Sequence, residues 1–241
     1  MVAQLGGLPT VPPDDWPVWD GRGPLSHVLT LDCVAAREAL PEANALRAAD
    51  RFAFFYYDGR YRDDIDTIVG SWDPSTHPAA RVVALTVHDG SPTHAPPGLR
   101  PYPAVPLTAV RTATWPSWEL PWVDDALERL GLRDGSDSFD ALLDGLGEIP
   151  DSGEVHQVGG HASPQQGAVE LEVEQFRRGV AGLPFDWSDP DVLTSAADWR
   201  PLLQVASDDA AGMMWGDVGQ LYWLTRDADP PTDAYFTWQC G

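Results

Sequence analysis

Lysine is absent from this 241-residue chain, and all fifteen basic residues are arginines. That absence excludes a Schiff-base lysine, a pyridoxal-phosphate aldimine, the lysine of a phosphate-binding P-loop and the ATP-anchoring lysine of a kinase. Cysteine is scarce too. Cys33 and Cys240 stand near opposite ends of the chain and no Cys-x-x-Cys occurs, so no disulfide framework is indicated. Three isoleucines and one asparagine beside abundant Ala, Asp and Arg have the bias of a GC-rich coding sequence. Long apolar runs are missing: the strongest, Phe52 to Tyr57, is far too short to cross a bilayer. Met1 to Pro17 carries several prolines and neither a basic nor an apolar leader region, so it does not read as a secretory signal. The expected address is the cytoplasm, away from membranes.

What the chain has in excess is negative charge. Thirty-seven acidic residues against fifteen basic ones give a formal net charge of −22. Such a field repels phosphate backbones and anionic lipid surfaces, which argues against nucleic-acid binding. It draws in a partner with a basic surface, or serves solubility alone. A hydrophobic content of 43% and the length allow a sizeable core without staples.

Along the chain, Pro24–Asp32, Phe52–Tyr57, Arg81–Val87, Leu202–Val205, Gln220–Leu224 and Tyr235–Gln239 read as strands. Cys33–Leu40, Trp122–Leu132, Phe139–Leu146 with Ser138 as cap, Val169–Val180 and Val192–Trp199 after Ser188-Asp189-Pro190 read as helices. Between Ser91 and Pro121 eight prolines interrupt both patterns, predicting an irregular connection or edge segments. Histidines 77, 88 and 94 lie in turn-rich or strand-end contexts and suggest no chemistry.

The two ends of the chain look alike. Pro24 to Asp32 aligns without a gap on Pro201 to Asp209, which puts His27 and Gln204 at equivalent positions. Gly6-Gly7 and Gly159-Gly160 precede the two copies, and Phe52–Asp58 and Leu221–Asp227 follow them. Duplication is one reading; similar strand–turn–strand units that drew similar residues is the other. The fold expected is α+β, with strand-rich half-repeats at about 5–90 and 156–240, joined by a Pro-rich and helical connection at 91–155. The halves are expected to form a single domain over 1–241, and a cleft between them is where a ligand would be sought.

The same blocks carry a resemblance. Leu5-Gly6-Gly7-Leu8-Pro9, Asp15-Trp16-Pro17, Phe54-Phe55-Tyr56, His156-Gln157-x-Gly159-Gly160, Leu202-Leu203-Gln204-Val205-x-Ser207-Asp208, Met214-Trp215-Gly216-Asp217-x-Gly219-x-Leu221-Tyr222 and Trp238-Gln239-Cys240 are similar to YwqG-like proteins. The resemblance spans nearly the whole chain and implies a bacterial cytoplasmic protein of mixed α+β fold. It implies no activity. His27 departs from the glutamine usual in that family.

Candidate chemistry centres on Asp208 to Asp217. Asp208, Asp209 and Asp217 bracket a glycine-rich turn around Trp215, an arrangement open to a divalent metal, although the spacing is not that of an EF-hand. Aspartates that close turns, with Met214 and Trp215 in the core, is the alternative. His156 and His161 lie five apart, which matches no zinc motif. Gln204 and His27 are polar residues on apolar strands, either core partners or pocket lining. No nucleophile elbow occurs and neither cysteine has an activating context. No cofactor or metal is expected. Eleven tryptophans, many beside proline or aspartate, suit either a protein or carbohydrate surface or the pinning of loops. The leading expectation is a non-catalytic binding protein, antitoxin-like or a regulatory partner of a basic protein. The alternative is an enzyme or a small-molecule or metal binder with its site between the halves, built on Trp215, Asp217, Asp208, Asp209, His156, Gln204 and His27.

Overall fold

The structure is a computed structural model, and it describes residues 1–62, 69–86, 94–117, 120–132, 136–146, 155–180 and 186–241. Val87, His88, Pro92 and Trp118 lie outside the described residues. The fold is mixed α+β, with sheets of five, four and two strands and short helices.

The first sheet starts with β1 (Ala3–Leu5), which stops at Gly6-Gly7, both at positive φ. A ribbon of β2 (Val18–Trp19) and β3 (Gly23–Pro24) leads into β4 (Ser26–Asp32). Asp32 ends β4 and accepts a 2.9 Å bond from the Ala35 amide, so it caps α1 (Cys33–Ala39). β5 (Arg51–Tyr56), β6 (Ala80–Leu85) and β7 (Val105–Leu107) complete an antiparallel sheet in the order β6-β5-β4-β1-β7. β7 lies in the proline-rich stretch and occupies the sheet edge, where Pro106 needs no second ladder partner.

Two surface helices follow, α2 (Pro121–Arg129) and α3 (Asp137–Leu146). Ser136, not the expected Ser138, accepts from the Phe139 amide at the start of α3. β8 (Gln157–Val158) stops at Gly159-Gly160, again at positive φ. α4 (Val169–Arg178) buries seven of its residues and ends at Gly179, φ 66°. Asp189 caps α5 (Pro190–Ala196), with Pro190 in the first turn. β9 (Arg200–Ala206), β10 (Gln220–Thr225) and β11 (Tyr235–Gln239) then form the second antiparallel sheet, order β11-β10-β9-β8.

Pairing lays β8, β9, β10 and β11 on β1, β4, β5 and β6. Gln4 faces Thr30 as Gln157 faces Gln204, and Asp32 faces Arg51 as Ala206 faces Gln220. The register skips Val28 in β4 and Leu202 in β9, so the two bulges coincide in this frame. Gln204 therefore corresponds to Thr30. The ungapped alignment that paired it with His27 is three residues out. Order and register shared in this way are geometric facts and do not by themselves show a duplication.

The main core is continuous across both sheets, with Phe52, Phe54, Trp215, Trp223 and Phe236 among its members. A second cluster under α4 and α5 contains Val173, Trp199, Tyr222 and Leu224. Among the described residues no helix is long and apolar enough to cross a membrane.

Candidate functional site

The turn after β9 is a closed hairpin tip. Asp208 and Met213 exchange backbone bonds of 2.8 and 2.9 Å, and Oδ1 of Asp208 accepts from the Ala211 amide at 2.7 Å. The other oxygen, Oδ2, lies 3.3 Å from Nε2 of His156, with each side chain about a fifth exposed (21% and 23%). Nδ1 of His156 is buried and has no partner among the described residues. A ring held by a carboxylate at one nitrogen and free at the other is the arrangement of a general base or of a ligand acceptor. The structure thus brings His156 and Asp208 together. Asp209 and Asp217 are exposed and do not join them, and among the described residues no group of three His, Cys, Asp or Glu side chains is placed to hold a metal.

Trp215 is not a surface residue of the turn. It is 3% exposed, donates from its indole to the Ala206 carbonyl at 3.2 Å, and meets Tyr56 and Tyr102 edge-on with centroids 5.9 Å away in each case. It is a bolt between the sheets. The glycines that follow serve packing: a Cβ on Gly216 would come within 2.7 Å of the Trp238 ring, and one on Gly219 would collide with the Gln239 carbonyl. Gly219 donates to the Trp215 carbonyl at 2.7 Å, and Val218 between them is held at φ 52°. The Trp215–Gly219 motif is therefore the seat for the C-terminal strand.

Gln204 is fully buried and satisfied. Its Oε1 accepts from the Ser163 amide at 3.0 Å, and its Nε2 donates to Gln220 Oε1 at 2.7 Å and to the Val155 carbonyl at 3.3 Å. His27 is equally enclosed in the other sheet. Nδ1 donates to the Gly7 carbonyl at 3.3 Å and Nε2 accepts from the Thr30 hydroxyl at 2.9 Å, which fixes one tautomer. Burial pushes its pKa down to about 4, so the ring is neutral. His27 and Gln204 lie in different sheets, each bonded within its own half.

One cluster escaped the sequence reading. Glu174, fully buried on α4, receives Arg177 at 2.7 and 3.0 Å, Arg178 at 2.7 Å, Arg226 at 2.7 Å and the Trp199 indole at 3.1 Å. Burial opposes its ionisation, but the donors from Arg177, Arg178 and Trp199 prevail and hold the carboxyl at about 2. The spacing of Glu174 with Arg177 and Arg178, three and four residues on, was the available signal. Arg226 and Trp199 are distant in sequence and gave none.

Two matched antiparallel sheets, one shared core and a half-open His–Asp pair define an α+β protein whose most specific sequence motifs hold the fold. The chain belongs to the family described as a domain of unknown function, DUF1963, whose model matches residues 3–240. No curated protein matches the sequence.

Proposed function

We propose that the protein is a non-catalytic cytoplasmic binding protein for a basic protein partner, and that its place in the family is with the YwqG-like proteins its motifs resemble. The observation that carries this reading is the surface of α2 and α3. No residue of α2 is fully buried: Trp122 and Val123 are half-buried against the second core cluster, Leu127 is half-buried, and Leu130, just past its end, is 72% exposed. Phe139 and Leu142, three residues apart on α3, are also only half-buried. Asp124, Asp125, Glu128, Asp137, Asp140 and Asp144 stand exposed on the same two helices, against Arg129. A basic amphipathic segment complements this surface in charge and offers apolar groups to its half-buried ones.

The test uses a basic amphipathic helical peptide and its charge-reversed copy, titrated by calorimetry. Binding of the basic peptide that weakens with salt and is lost in Asp124→Arg/Asp125→Arg/Glu128→Arg supports the reading. Equal affinity for both peptides, or no binding, overturns it.

A second reading, a small-molecule or substrate site at His156, is favoured by its buried Nδ1, which has no partner among the described residues. Its check is the ring ¹⁵N spectrum. A His156 Nδ1 shift that moves on adding a small-metabolite extract supports the reading, and one that stays fixed sinks it.

A further inference from the structure

The second sheet binds a piece of its own chain. Residues 163–167 cross the face that presents Gln204, Gln220, Tyr222 and Gln239, and they are held chiefly through the backbone, with Gln165 adding a side-chain bond of 3.1 Å to the Val218 carbonyl. The Ser163 amide donates to Gln204 at 3.0 Å, and its carbonyl accepts from Tyr222 at 2.9 Å and Gln220 at 3.3 Å. Gln239 accepts from the amides of Gln165 and Gln166 at 2.7 and 3.0 Å and donates to the Gly167 carbonyl at 2.8 Å.

The first sheet begins in the same way. Gln4 donates to the Gly6 carbonyl as Gln157 donates to that of Gly159, at 3.3 and 2.8 Å. Thr10 follows the glycine pair at the distance at which Ser163 follows its own. Here, though, the crossing segment stands off the sheet. Between Leu8–Thr10 and the strands lies a cavity of about 150 Å³, lined by Gln4, Thr30, Asp32 and Arg51. Three of these correspond by register to Gln157, Gln204 and Gln220, which lie in or beside the seat of the strap. Asp32 and Arg51 make a loose pair at 3.9 Å, with side chains 36% and 38% exposed. Since Oδ1 of Asp32 is engaged by the Ala35 amide, Oδ2 and the guanidinium are the groups open to a ligand.

We propose that this cavity binds an α-amino group with its adjacent carboxylate or carbonyl, as presented by a free amino acid or by the first residue of a peptide. Asp32 Oδ2 takes the ammonium, with Gln4 Oε1 as a second acceptor. Arg51 takes the carboxylate or carbonyl oxygen, the geometry for which a guanidinium fork is suited. Leu8, Pro9 and Val2 offer an apolar wall to a side chain. At roughly 30 Å³ per water, the volume is that of about five waters, room for the amino and carboxyl groups of one residue with the side chain along the apolar wall.

The experiment is an NMR titration of the intact protein with leucine, leucinamide, a leucyl dipeptide and N-acetylleucine, read at the amides of Gln4, Thr30 and Ala53. Leucine is expected to bind, N-acetylleucine to fail, and Arg51→Gln to weaken binding about tenfold, the worth of one charge-assisted bond. Asp32→Asn is the companion variant: asparagine also caps helices, so α1 stays intact while the charge is lost. Binding of leucinamide and the dipeptide as well as leucine assigns the site to peptide N-termini, whereas binding of leucine alone assigns it to free amino acids. No shift at these amides up to about 10 mM, where even a Kd near 1 mM would register, or shifts that Arg51→Gln and Asp32→Asn leave unchanged, overturns the proposal.

Discussion

Phe54 and Trp223 hold matching positions in the two sheets and meet edge to face, with ring centroids 5.3 Å apart. Both are fully buried. The contact joins the sheets at a point where each presents its counterpart residue. Truncating either ring to alanine is expected to cost about 3–5 kcal/mol. The double variant should recover a coupling of about 0.5–1.5 kcal/mol beyond additivity, measured by denaturant unfolding. Strict additivity would show that the rings act independently.

The buried pair of pKa shifts predicts a two-stage acid profile. His27 is neutral when folded, with a pKa of about 4, and an unfolded histidine titrates near 6.5. As pH falls from 6.5 to 4 the unfolded chain binds a proton that the folded chain refuses, so stability drops by up to about 3 kcal/mol. Below about 4 this loss levels off. Unfolding free energies measured from pH 7 to 4 should show this slope, and His27→Gln should remove it.

Glu174 governs the lower stage. Its folded pKa near 2 lies below the unfolded value, so its contribution is complete above about pH 4.5 and disappears as pH falls towards 2. Glu174→Gln leaves three guanidiniums around an uncharged amide and is expected to cost about 3–5 kcal/mol. A variant as stable as the parent at pH 7 would refute a structural role for the cluster.

Val218 carries a backbone conformation that suits glycine or asparagine. Val218→Asn is expected to raise stability by roughly 1 kcal/mol, because a β-branched residue is strained at positive φ. Gly219→Ala should act in the opposite sense and cost at least about 1–3 kcal/mol, since its Cβ would collide with backbone oxygens of Gln239 and Trp215. Thermal midpoints of the two variants, compared directly, decide both.

Most longer elements were legible because their apolar spacing is strong: Tyr235–Gln239 emerges with the bounds read from the sequence, and Cys33, Val169 and Gln220 each start an element as expected. β1, β7 and β8 were not, since two or three residues beside Gly-Gly or proline carry no measurable period. For the candidate site the sequence gathered His156 and Asp208, which do meet, but added Asp209 and Asp217, which face solvent. Short-range spacing cannot tell an aspartate that closes a turn from one that lines a site. The frame of the two halves was misread for a similar reason: Pro24 and Pro201 match as letters, while the cross-strand partners of β4 and β9, invisible in one strand's sequence, set the true pairing.

The strap over the second sheet is gripped chiefly by its amides and carbonyls, with a side-chain bond from Gln165 to the Val218 carbonyl beside them. Apart from Gln165, its letters are therefore freer to drift over evolutionary time than Gln204, Gln220 and Gln239 beneath it. Across related chains the invariant record of that segment should be written in the strands it lies on.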